Sequence, residues 1–142
     1  MNTSTMKPGK IFFLAAVFAT TLFVSCQPEE EPLPADARDV YVASWDLNEN
    51  SSIVGQNQYT VHINKSTANA TQVEIENFYN IGFNFKAKVN IDGNSMTIPT
   101  QTYNGNTLHG SGTKNNANSI SMTYYVNNGS TIDTCTATLS RL

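Results

Sequence analysis

Positive charge is scarce in this chain, with 8 Lys and Arg against 11 Asp and Glu. Over residues 39–142, five bases face seven acids, a net of −2 with no basic patch. Nucleic acid is therefore excluded as a partner, because its binding needs a cationic footprint. Histidine is rarer still, limited to His62 and His109. A metal site wants three or four convergent ligands. His62 offers either an ordinary surface pair with Glu74 or Glu76, or at most a two-ligand site. Catalytic groupings are also missing. His109 and Ser111 share a strand face, but Gly110 and Gly112 form no strained elbow and no acid is indicated. The expectation is a non-enzyme that uses no cofactor and no metal.

Long apolar runs are missing too. The stretch over residues 11–24 has 14 residues, short of the ~20 that a helix needs to cross a bilayer core. It follows Lys7 and Lys10 and precedes small residues, the layout of a secretory leader. Leu22-Phe23-Val24-Ser25-Cys26 resembles a bacterial lipobox, in which a small residue precedes a lipidated cysteine. That resemblance implies cleavage before Cys26 and lipid on its thiol. Two or more acyl chains give stable anchoring where one does not. The run Glu29-Glu30-Glu31 resembles the acidic export signal of Bacteroidetes-type surface lipoproteins. Its other reading is a solvated acidic linker. Pro28, Pro32 and Pro34 make residues 26–38 an extended tether. The organisation is thus a leader over 1–25, a lipidated acidic tether over 26–38 and one domain over 39–142. Lipid on Cys26 leaves Cys135 as an unpaired thiol, either buried or reactive.

No helical period appears after residue 38. Alternation does. Residues 81–91 put Ile81, Phe83, Phe85, Ala87, Val89 and Ile91 on one face, which predicts a half-buried strand. Asp92-Gly93 follows as a hairpin turn. With those two as the loop, Ile91 faces Asn94. Taking Gly93-Asn94 as the loop keeps the same faces. Asn128-Gly129 predicts a second hairpin, with Asp133 beside Tyr124 and Cys135 beside Met122. Cys135 then points inward as a small apolar residue. Shorter strands are expected over 40–47, 59–64, 72–76 and 108–114, with a bulge or bend at Gly110 and Gly112. Pro99 marks an edge or bulge in the strand from Ser95.

Eight strands joined by short polar loops predict an all-β, eight-stranded antiparallel up-and-down barrel, with a β-sandwich as the alternative. Such a barrel is filled by side chains or holds one small ligand. The bulky inward set is Phe83, Phe85, Met96, Ile98, Met122, Tyr124 and Leu139. Asp133 is either a wet rim residue or the polar anchor of a ligand pocket lined by Trp45, Tyr103 and Tyr124. An inward carboxylate needs a partner such as Arg141 or a tyrosine hydroxyl.

Several segments carry a resemblance: Trp45, Tyr59-Thr60-Val61-His62-Ile63, Ile98-Pro99-Thr100-Gln101, Leu108-His109-Gly110-Ser111-Gly112-Thr113 and Asp133-Thr134-Cys135-Thr136-Ala137-Thr138. Together they resemble small Bacteroidetes lipoproteins with a calycin-like (lipocalin-like) domain. Ala43-Ser44-Trp45 stands where true lipocalins have Gly-x-Trp. The resemblance implies a barrel at the outer membrane and no particular activity. The expected function is a lipid-anchored binding or accessory module at the outer membrane, surface-exposed, with a periplasm-facing placement as the alternative. Its partner would be a small apolar ligand, a glycan or a protein. The alternative is a structural envelope component or a protein inhibitor docking through its loops.

Overall fold

A computed structural model describes residues 35–142. Cys26, the leader and most of the tether lie outside the described residues. The eight strands are β1 (Ala43–Ser51), β2 (Gly55–Lys65), β3 (Gln72–Glu76), β4 (Lys86–Asp92), β5 (Ser95–Tyr103), β6 (Asn106–Asn116), β7 (Ser119–Asn127) and β8 (Ile132–Arg141). Each pairs antiparallel with the next, and β1 pairs with β8 from Trp45↔Arg141 to Ser51↔Cys135. That seam closes the sheet, so the fold is an up-and-down barrel and not a sandwich.

Alternation along each strand sends one face inward. Trp45, Leu47, Val61, Ile63, Ile75, Val89, Ile98, Ile120 and Leu139 are among the side chains that fill the interior. Among the described residues, all eight strands and the buried hydrophobic core lie within residues 41–141. Cys135 is buried, facing inward as its strand pattern required, and is in no disulfide among the described residues.

Several local expectations are corrected. The strand expected from Ile81 starts only at Lys86, and Phe83 is 50 % exposed, so it leaves the inward set. Asn77, Tyr79 and Asn80 have left-handed backbones, with a short 3-10 turn over Phe78–Asn80. Asn77 fixes this turn by donating from Nδ2 to Thr60 O (2.8 Å) and accepting from Gly82 N (2.9 Å). The β4–β5 loop is Gly93-Asn94, which pairs Ile91 with Met96. The β7–β8 loop is two residues longer than Asn128-Gly129, because Asn128 Oδ1 accepts from the backbone N–H of Ser130 and Thr131. Asp133 therefore pairs with Val126, and Cys135 with Tyr124.

Tyr41 is buried but precedes β1, which runs on to Ser51. Pairing with β7 is continuous through Gly110 and Gly112; on the β5 side the register shifts beside Gly110, between Ile98 and Gln101, and a second shift on the β7 side lies between Lys114 and Asn116. Gly110 is needed for space: a Cβ there would lie 2.5 Å from Tyr124 Cβ. The bulge after Ile98 spans Pro99, as a residue without an N–H requires.

The barrel has two ends. The near end gathers residues 36–42, the β2–β3 loop, the β4–β5 turn and the β6–β7 turn. The far end gathers the β1–β2 loop, residues 77–85, the β5–β6 turn and the β7–β8 loop. Tyr41 crosses the near end, donating from its hydroxyl to Gly93 O at 2.7 Å. Trp45 Nε1 donates to Tyr41 O (2.9 Å), and the Arg141 guanidinium stacks 4.6 Å over the Trp45 ring. Arg38 donates to Ser66 O and Asn69 O at 3.0 Å each, and pairs with Asp36 at 2.7 Å.

Candidate functional site

The far end holds two carboxylates inside the barrel. Alternation continues past Leu47, so β1 turns Glu49 and Ser51 inward. From β8, the pattern of Cys135 and Ala137 sends Asp133 inward. Glu49 is 3 % exposed and Asp133 is 2 % exposed. Buried carboxylates are costly unless hydrogen-bonded, and both are.

Asp133 Oδ2 accepts from Ser51 Oγ (2.6 Å) and from the Tyr79 hydroxyl (2.8 Å). Its Oδ1 accepts from Ser52 Oγ (3.0 Å) and from Ile53 N (3.3 Å). Glu49 Oε2 accepts from the Tyr59 hydroxyl (2.7 Å) and from the Tyr124 hydroxyl. Among the described residues, hydroxyls and one backbone N–H serve these carboxylates, and no cation does.

The environments push the two acids apart. Burial raises Glu49, the Tyr59 hydrogen bond only partly opposes it, and Asp133 adds repulsion. Burial also pushes Asp133 upward, but the hydrogen bonds from Ser51, Tyr79 and Ser52 outweigh it and hold its carboxyl below the ordinary value. Burial raises the Tyr59 and Tyr79 hydroxyls, with Glu49 and Asp133 adding to it, so both stay protonated donors at neutral pH. The Cys135 thiol is pushed up by burial and then by the charges of Glu49 and Asp133. A thiol held protonated is a poor nucleophile.

Tyr79 closes the mouth. Its φ of 57° is unusual for a residue other than Gly, Asn or Asp and costs about 1–3 kcal/mol. The Asp133 hydrogen bond helps to hold it there, together with an edge-on contact to Tyr124, ring centroids 6.3 Å apart. Phe78 packs beneath, its ring 4.5 Å from that of Tyr124.

Around this mouth the rim is apolar. Val54 is 71 % exposed, Ile132 58 % and Ile53 57 %. Phe83 stands on the same end, packed against His62 at 5.2 Å. The far-end loops, residues 52–54, 77–85, 104–105 and 128–131, contain no charged side chain.

The four residues expected to share a pocket are divided. Tyr124 and Asp133 lie in the linked far-end network, joined through Tyr79. Tyr103 is also at the far end, but it packs on Phe85 (4.4 Å) and not on the carboxylates. Trp45 belongs to the near end, opposite Arg141 on β8, so Arg141 is its partner and not Asp133's. The partner Asp133 does take is a tyrosine hydroxyl, with two serines. Glu49, Tyr59 and Tyr79 were not anticipated. Continuing the Trp45–Leu47 alternation by one step would have found Glu49. His62 Nδ1 lies 3.8 Å from Glu76, which also pairs with Lys86 at 2.9 Å. Among the described residues no group of three metal-ligating side chains assembles. His109 stacks on Tyr125 and makes no hydrogen bond to Ser111.

No family model and no curated protein sequence matches the chain. Solved structures that share the fold include two closed barrels. One is a redesigned beta barrel, b11L5F_LGL, with a TM-score of 0.57 and 15 % identity over 75 % of this chain and 96 % of that one. The other is EF1p2_mFAP2b bound to DFHBI, with a TM-score of 0.52 and 12 % identity over 75 % of this chain and 98 % of that one. At these identities the likeness concerns the barrel itself.

Proposed function

We propose that this chain is a non-enzymatic binding module, held by lipid on Cys26 at the outer face of the outer membrane, and that it works through the far end of its barrel. The observation that carries this reading is the uncharged rim of Ile53, Val54 and Ile132 around a closed, polar mouth. Exposed apolar clusters rimmed by polar residues mark interaction sites. The anchor rests on the lipobox and on the resemblance to small Bacteroidetes-type calycin-like lipoproteins. The described residues begin at the near end, the end opposite this rim. The partner is an apolar face of another surface protein. The test places a photo-crosslinking residue at Val54 or at Asn115 on intact cells. Adducts at Val54 and none at Asn115 are expected. Equal labelling at both sites, or membrane association unchanged by Cys26→Ser, would overturn the respective half of the reading.

A second reading is a small apolar ligand inside the mouth, favoured by the barrel fold shared with EF1p2_mFAP2b, which is bound to DFHBI. In this chain Phe78 and Tyr79 occupy that space, so a ligand must break the Tyr79–Asp133 hydrogen bond. Calorimetric titration with DFHBI tests it. Tyr79→Phe should bind more tightly than the unaltered protein, and no heat from either ends this reading.

A further inference from the structure

The outer wall carries a feature that the far end does not use. A groove of about 520 Å³ runs along the outward faces of β1, β7 and β8. Its floor takes Asn50, Thr136, Thr123, Asn48, Thr138 and Ser121 from two cross-strand rows that continue past its edges. One row is Gln56, Asn50, Thr136, Thr123 and Ser111. The next is Gln58, Asn48, Thr138, Ser121 and Thr113. Neighbours within a row are about 4.8 Å apart, and the rows about 6.8 Å apart, as strand geometry dictates. All ten side chains are hydroxyls or amides.

Their hydrogen-bonding capacity is largely unspent. Among the described residues, the side chains of Asn48, Asn50, Thr136 and Thr138 have no partner in the protein. By contrast, Asp46, the charged member of the groove lining, accepts from Gln58 Nε2 at 2.6 Å. No lysine or arginine lines the groove, so it has nothing to hold a phosphate or another anion. It also offers too little apolar surface for the core of a protein interface. At its edge, Tyr125 follows Thr123 on the outward face of β7 and pairs with Thr134 of β8. Its ring stacks nearly flat on His109, at 5.1 Å and 21°. A flat aromatic face beside a grid of neutral donors and acceptors suits a ligand with C–H faces and many hydroxyls.

We infer that this wall binds a chain of a neutral polysaccharide. The hydroxyl and amide rows exchange hydrogen bonds with sugar hydroxyls, and Tyr125 packs against the apolar face of one ring. The site is separate from the far end.

Affinity electrophoresis in native gels tests it, using the protein from residue 35 onward, which contains the entire closed sheet and core. The gels contain starch, xylan, mannan or dextran, with polygalacturonate as the charged control. Retardation by at least one neutral polysaccharide and none by polygalacturonate is expected. The double variant Asn48→Ala, Thr138→Ala should weaken it by about tenfold, the loss of one or two hydrogen bonds. Tyr125→Ala should weaken it as well, and Val54→Asp at the far end should leave it unchanged. Circular dichroism confirms that each variant folds. Migration unaltered by all four neutral polysaccharides overturns the inference, as does equal retardation of the double variant.

Discussion

The near and far ends of this barrel are both closed, by opposite chemistry. At the near end, cations donate to backbone carbonyls: Arg38 to Ser66 and Asn69, and Arg141 to Ala117 at 3.0 Å. These cations lie outside the barrel interior, partly covered, and the interior below them is Trp45 and Tyr41. At the far end, carboxylates sit inside and neutral hydroxyls donate to them, while the rim above is apolar and uncharged. The difference shows how one small barrel keeps one end soluble and the other presentable. Charge on the rim suits an end that stays hydrated. Charge hidden beneath the rim leaves the surface free to lose water on contact.

Substitutions can break this contrast. Trp45→Ala should have the largest effect, about 3–5 kcal/mol, because the near end is held by packing beneath Arg141. Urea unfolding measures it; a loss below about 1 kcal/mol would mean the hydrogen bonds of residues 36–42 close that end without the ring. Asp133→Asn comes next, at about 1–3 kcal/mol, since it disturbs a carboxylate that accepts four hydrogen bonds. Glu49→Gln should cost less than about 1 kcal/mol, because an amide oxygen still accepts from Tyr59 and Tyr124. If the last two exchanged rank, the division of roles between the carboxylates would be wrong.

The pH dependence of the same two variants sharpens the point. Asp133 has a lowered folded pKa. It therefore adds stability above the ordinary carboxylate range, and loses that contribution as pH falls through the lowered value. Glu49 has a raised one. Its contribution is complete below the ordinary range and is lost as pH rises through the raised value. The gap between the unaltered protein and Asp133→Asn should narrow on acidification. Glu49→Gln should instead gain on the unaltered protein as pH rises from about 4. Unfolding curves across that range would show parallel behaviour if the two acids titrated alike. Smallest in stability is Val54→Asp, within about 0.5 kcal/mol, although it should abolish adducts at the rim when the photo-crosslinking residue stands at Ile132 instead. A large destabilisation would show that Val54 supports the fold and does not merely decorate it.

Period-two alternation made the barrel legible in the sequence, because a closed sheet with one buried face imposes that period on each strand. Register was less legible. Shifting a hairpin by two residues keeps every face, so the Asn128 side chain, by lengthening its loop, moved Asp133 from Tyr124 to Val126 without disturbing the pattern. Residues 81–85 misled for a related reason: Ile81, Phe83 and Phe85 alternate by coincidence. The left-handed Asn77, Tyr79 and Asn80 redirect the chain before a strand can start. Half of the candidate site could be read from Tyr124 and Asp133. Tyr79 could not, since its place depends on a backbone conformation that tyrosine seldom adopts.

The β1–β8 seam has a consequence for the order of events during folding. It joins residues 45–51 to 135–141, the longest loop closure in the sheet, and contacts so distant in sequence form slowly. Until β8 arrives, β1 and β7 are bare edges of the kind that template aggregation. A nascent chain stopped before Ile132 is therefore not most of a barrel but an open ribbon with two adhesive margins, and its last ten-residue strand (Ile132–Arg141) removes both at once.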